Sequence, residues 1–189
     1  MNQDDILKLK SVFLYILNKQ RFIDQFHLFK ILYFADRDHL AKYGRRIIKD
    51  TFCALEYGPV PSSLYDMIKI KNGQKISSKF FKEKIFSPLL DSFITGSGDA
   101  YYYLQALELP DMDELSKSDI DCLDESFEKY YSADMSKLSN ESHDEAWQTA
   151  WNRKQNSPIN HLDMAKAAGA TDDFIHYIQE IDEVTSCLL

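Results

Sequence analysis

One segment of this 189-residue chain constrains the fold more than any other. Between Asp24 and Gly44, the residues Phe26, Leu28, Phe29, Ile31, Leu32, Tyr33, Phe34, Ala35 and Leu40 fill more than one stripe at helical spacing. A helix apolar over most of its circumference must have neighbours on several sides, so it predicts a multi-helix core with this element at the centre. Asp24 suits the N-cap, and Ile23 and Leu28 have the spacing of a hydrophobic staple. Gly44 suits the C-terminal stop. A strand is predicted at 51–56, followed by Tyr57-Gly58-Pro59-Val60-Pro61. Its two prolines fix their own φ and favour extended Gly58 and Val60, giving a rigid corner before a helix that runs to Lys71.

The other elements arrange themselves around this centre. An amphipathic helix is predicted at 4–19, with Ile6, Leu9, Val12, Phe13, Ile16 and Leu17 on one face. Asp38 and Lys42 have the spacing of an ion pair on the central helix. Residues 89–95 and 100–107 read as two strands around the turn Gly96-Ser97-Gly98-Asp99. With 51–56 they predict a small three-stranded antiparallel sheet, and helices followed by such a hairpin are winged-helix-like. Beyond Pro110 the chain reads as helical again. Ser118 with Asp121 and Ser142 with Glu145 are spaced as capping boxes, and Ala146, Trp147, Ala150 and Trp151 share an inner face. Residues 152–158 are polar and read as an exit from the core, before helices near 161–168 and 172–186. The expected class is α+β, predominantly helical, with a main domain at 1–152 and a helical extension at 153–189 packed on it.

Four of these stretches carry a resemblance. KILYFADRDHLAKYG and EYGPVPSSLYDMIK, then LSKSDIDCLDESFEKY and LSNESHDEAWQTAW, follow one another in order. Together they resemble the Panacea domain of SocA-like bacterial and phage antitoxins over about residues 25–151. Arg46 departs from the family's usual proline after Gly-Arg, which bears on the turn at that point. The resemblance implies an antitoxin that binds a toxin encoded beside it; the few, widely spaced cysteines fit a cytoplasmic protein. On physical grounds the expected toxin contacts are the rigid, preorganised corner of Tyr57, Gly58, Pro59, Val60 and Pro61, the central-helix residues Tyr33, Asp36 and His39, and His143 with Trp147. Asp36 is expected on an exposed polar face.

Composition narrows the alternatives. The net charge of −8 hides an asymmetry: residues 1–109 carry 16 basic and 12 acidic side chains, and residues 110–189 carry 6 and 18. Lys75, Lys79, Lys82 and Lys84 lie in a run interrupted by Phe80 and Phe81, a pattern able to hold phosphates and stack on bases. A winged-helix-like regulator bound to operator DNA is therefore the rival function. No nucleophile elbow, Walker loop or dinucleotide fingerprint occurs, so no enzyme is expected. Asp36 with His39, and His143 with Asp144, lack further nameable ligands, so neither metal nor cofactor is expected. Cys53, Cys122 and Cys187 are few and widely spaced and read as reduced thiols. No apolar run approaches the roughly 20 residues that span a bilayer, and the first residues lack the form of a signal peptide.

Overall fold

The computed structural model describes residues 1–76, 83–98 and 101–187, without the side chains of 83, 84 and 186. In chain order the elements are α1 (Gln3–Leu17), β1 (Ile23–Asp24), α2 (Gln25–Tyr43), β2 (Phe52–Leu55), β3 (Gly58–Pro61), α3 (Ser62–Lys71) and α4 (Glu83–Leu90). There follow β4 (Phe93–Ser97), β5 (Tyr102–Ala106), α5 (Lys117–Tyr130), α6 (Met135–Ser142), α7 (Glu145–Arg153), α8 (His161–Ala167) and α9 (Asp172–Cys187). The fold is a predominantly helical α+β domain with small antiparallel sheets. Among the described residues no helix is long and apolar enough to cross a membrane.

Helix α2 is the centre, as its apolar circumference predicts. It packs against α5, α6, α8 and β3. Asp24 caps it, accepting from the His27 amide at 3.0 Å, and Gly44 closes it with φ of +70°. The N-terminal cap is reinforced by the His27 side chain. His27 Nδ1 lies 2.6 Å from Asp24 and Nε2 lies 2.9 Å from the Ala133 carbonyl. Two acceptors favour the imidazolium, and the bond to Asp24 raises the His27 pKa. Aromatic pairs knit the neighbours together: Phe34 stacks on Tyr130 at 4.2 Å, and Phe13 meets Phe93 edge-on at 5.0 Å.

The strands assemble differently from expectation. The three-stranded sheet has the order β1-β5-β4, so the third strand is Ile23–Asp24. Phe52–Leu55 pairs instead with Gly58–Pro61 in a separate ribbon. Its free edge takes up the segment expected to leave the core: Ala54 donates to Ser157, Asn156 to Ala54, and Ile159 to Phe52, at 2.8–3.0 Å. The prolines of β3 are tolerable because it is an edge strand. The region read as a strand at 89–95 begins instead inside α4, whose Phe86, Leu89 and Leu90 are buried at helical spacing.

Helix termini show further differences. Asn2 forms a capping box with Asp5, so α1 starts before residue 4. The box of α5 is Ser116 with Asp119, one of two overlapping candidates. Asp119 prevails because its carboxylate is buried against Lys8 and Arg45, while Ser118 is engaged by His39. Asp144 rather than Ser142 caps α7. Lys42 reaches Glu125 of α5 at 2.7 Å, and Asp38 holds Arg37, so the expected Asp38–Lys42 pair does not form. Helix α3 starts at Pro61, which offers no side-chain cap. The buried Asp50 supplies it from a distance, accepting from the Ser63 and Leu64 amides at 3.0 Å each.

Leu32, 1% exposed in the middle of α2, tests this arrangement. Leu32→Ala is expected to cost about 2–5 kcal/mol in urea melts, and a loss below about 1 kcal/mol would contradict its central position.

Candidate partner-binding site

The most unusual group in the core is an amine. Lys30 sits on α2 among apolar side chains and is 1% exposed. Its Nζ donates to the Pro59 carbonyl at 3.1 Å and lies 5.0 Å from the Phe26 ring centre. Burial pulls its pKa down to about 7, so the amine sheds its proton near neutrality instead of carrying an unpaired charge inside.

This bond requires the β2–β3 ribbon to lie close against α2. Gly58 makes the approach possible. Its φ of +103° suits glycine, and a Cβ there would meet Ser142 Oγ and come within 2.7 Å of Lys30 Nζ. The expected extended Gly58 is therefore replaced by one of positive φ at the first residue of β3. The turn before it, Glu56-Tyr57, leaves Tyr57 59% exposed at the ribbon tip.

The opposite side of the ribbon is braced by α7. Trp147 Nε1 donates to the Leu55 carbonyl at 2.9 Å. Its ring stacks on His143 at 3.8 Å and on Trp151 at 5.1 Å. Burial lowers the His143 pKa and favours the neutral imidazole. Asp144 then ties the start of α7 to α2. It accepts from Tyr33 Oη at 2.8 Å, from Arg37 Nη1 at 3.0 Å and from the Trp147 amide at 3.0 Å. Burial and then the Asp144 charge push the Tyr33 hydroxyl well above its ordinary pKa, so it remains a donor. The result is a neutral, hydrogen-bonded support beneath an exposed tyrosine.

The structure brings Tyr33, Gly58, Pro59, His143 and Trp147 together here, with Tyr57 at the surface, Val60 half-buried and Pro61 buried beside them. Asp36 and His39 lie elsewhere. The exposed face expected around Asp36 does not exist, because Asp36 is 1% exposed. It accepts from the Ile47 amide at 2.6 Å, the Ile48 amide at 3.1 Å and Arg46 Nε at 2.8 Å. Arg46, at the position of departure from the family pattern, thus clamps the loop onto α2. His39 is wholly buried, with Nδ1 at 2.8 Å from the Arg45 carbonyl and Nε2 at 3.0 Å from Ser118 Oγ. Among the described residues no group of three or more His, Cys, Asp or Glu side chains is placed to hold a metal ion.

Of the four lysines singled out for nucleic acid, Lys75 is exposed after α3. Lys79 and Lys82 lie outside the described residues, as does the Lys84 side chain. Sequence reasoning missed Lys30, Arg37, Ser142 and Asp144. The signal for Lys30 was present, as a lone cation between Phe29 and Ile31 in an apolar helix.

Comparison with known proteins places this geometry. The family model described as antitoxin SocA-like, Panacea domain, matches residues 28–148, which contain most of α2, the ribbon and the start of α7. No curated protein and no solved structure matches the chain.

The buried amine has a pH signature. The unfolded lysine keeps its proton up to about 10.5 and the folded one loses it at about 7. Between these values the unfolded state binds more protons, so this group makes stability rise with pH and fall again as pH drops toward 7. Its slope approaches about 1.4 kcal/mol per pH unit. Lys30→Met is expected to fold and to lack that increment in melts from pH 7 to about 9. Equal slopes in both proteins would show that Lys30 stays charged in the fold.

Proposed function

Because the chain belongs to the SocA-like Panacea antitoxin family, we propose that it neutralises a toxin encoded beside it by binding that toxin directly. The match over residues 28–148 carries this reading. Neutralisation is stoichiometric in this account: the complex occludes the toxin or holds it inactive, and this chain catalyses no reaction.

The supported ribbon tip is the contact we favour. Tyr57 is a large amphipathic side chain held out on a turn whose flanks are pinned, on one side by Lys30 to Pro59 and on the other by Trp147 to Leu55. A surface ordered before association loses little conformational entropy on binding. Tyrosines seated in such positions are frequent hot spots. Tyr33, Asp36 and His39 act beneath the surface in this account, through the shape they hold.

Co-expression tests the reading. The neighbouring gene alone is expected to halt growth, and this protein is expected to restore it while forming an isolable complex. Tyr57→Ala is expected to leave the fold intact, since the side chain is exposed, and to weaken binding about thirtyfold, equivalent to about 2 kcal/mol. A harmless neighbour, or rescue without a complex, would contradict direct neutralisation.

A further inference from the structure

Helix α9 carries more apolar surface than the rest of the molecule covers. Ile175 and Ile178 are buried, at 4% and 1% exposure. Beside them, Tyr177, Ile181 and Val184 form a second line at i, i+4 and i+7 and are 50%, 39% and 61% exposed. Between this line and the body runs a cavity of about 600 Å³. Leu40 and Ile47 line its body side, and Ile178 and Ile181 line its α9 side. Tyr177 also packs over the end of α2, where a Cβ on Gly44 would come within 3.3 Å of its ring. An apolar stripe beside an apolar groove is an association surface, since water contact with it is unfavourable.

Charge decides what covers it. The α9 sequence contains five carboxylates, Asp172, Asp173, Glu180, Asp182 and Glu183, and no lysine or arginine. The cations at the groove are already engaged. Lys8 and Arg45 share Asp119, Arg46 holds Asp36, and Lys49 holds Asp5. Asp4 and Glu114 add to the negative side of the rim, where Asp182 of α9 also holds His161 at 2.6 Å. A second copy of this chain would bring the same five carboxylates against these, and like charges across an interface are repulsive. A partner segment with an apolar face flanked by lysines and arginines meets both demands.

We infer that the α9 stripe and its groove are a docking surface for an amphipathic, basic segment of the toxin, separate from the Tyr57 tip. The inference rests on the antitoxin reading for the identity of the partner. The α9 stripe lies outside residues 28–148, whereas the groove wall at Leu40 and Ile47 lies within them.

The test compares the wild type with Ile181→Asp/Val184→Asp, both exposed positions, after circular dichroism and a thermal melt show that the variant folds. Two probes are titrated by calorimetry: the protein encoded by the adjacent gene, and a synthetic leucine–lysine amphipathic helix with a leucine–glutamate helix as control. The wild type is expected to bind the adjacent gene's product, and the variant to bind it at least tenfold more weakly. The leucine–lysine peptide is expected to bind the wild type at least tenfold more tightly than the leucine–glutamate peptide, and to lose affinity for the variant. General charge attraction would change the other way, because the variant is more acidic. Unchanged affinity of the variant for the gene product would overturn the inference and leave the antitoxin reading standing. Failure of the wild type to bind that product, with the peptide arm positive, would leave a basic-segment site but refute the toxin as its occupant. A wild type that is dimeric by light scattering and becomes monomeric in the variant would show that a second copy covers the stripe.

Discussion

An amine buried in the central helix sets the terms for the surrounding structure. Lys30 cannot remain charged and unpaired in an apolar interior, and it finds its acceptor in the Pro59 carbonyl. That bond draws a two-stranded ribbon onto α2. The close approach demands glycine at 58, because a side chain there would strike Ser142 and Lys30. The same ribbon is held from its other side by Trp147, and Trp147 is held by the helix that Asp144 caps. Tyr57 stands exposed over groups that are bonded within the fold, Lys30 to Pro59 and Trp147 to Leu55.

Three other carboxylates organise the far end of α2. Asp36 collects the amides of the following loop together with Arg46, and Asp50 caps α3 across the ribbon. Asp119 gathers Lys8, Arg45 and His39 while completing its own capping box. Burial would raise the Asp119 pKa, but its bonds to Lys8 and Ser116 hold it lowered and ionised. Each is a buried carboxylate with several donors, an arrangement that is costly to break and specifies one loop conformation. They explain why residues that looked like binding groups are internal.

How far the sequence revealed this depends on the range of the interactions. Helix α2 was legible because its apolar circumference and both caps are local signals. Helix α9 was legible in the same way. Strand β1 was not, since two residues carry no alternation, and its pairing with Leu104 and Tyr103 is long-range. The capping box at 116–119 was hidden by a second one two residues later, and only distant groups, Lys8 and Arg45 on Asp119 and His39 on Ser118, distinguish them. At the site, Tyr57 to Pro61 stood out through proline rigidity, whereas the left-handed Gly58 follows from the nearness of Ser142, 84 positions away. Asp36 was misplaced for the same reason: the loop that buries it is contributed by residues 46–48, and a helical pattern shows a face but not what folds over it.

The account makes the association surface a property of one rigid tip over a buried support. Hydrogen–deuterium exchange of this protein, alone and bound to the product of the adjacent gene, tests that most directly. Slower exchange at the turn amides of Glu56 and Tyr57 in the complex, with the α2 core around Tyr33 unchanged, is the predicted result. A complex that leaves the ribbon tip unprotected would contradict it.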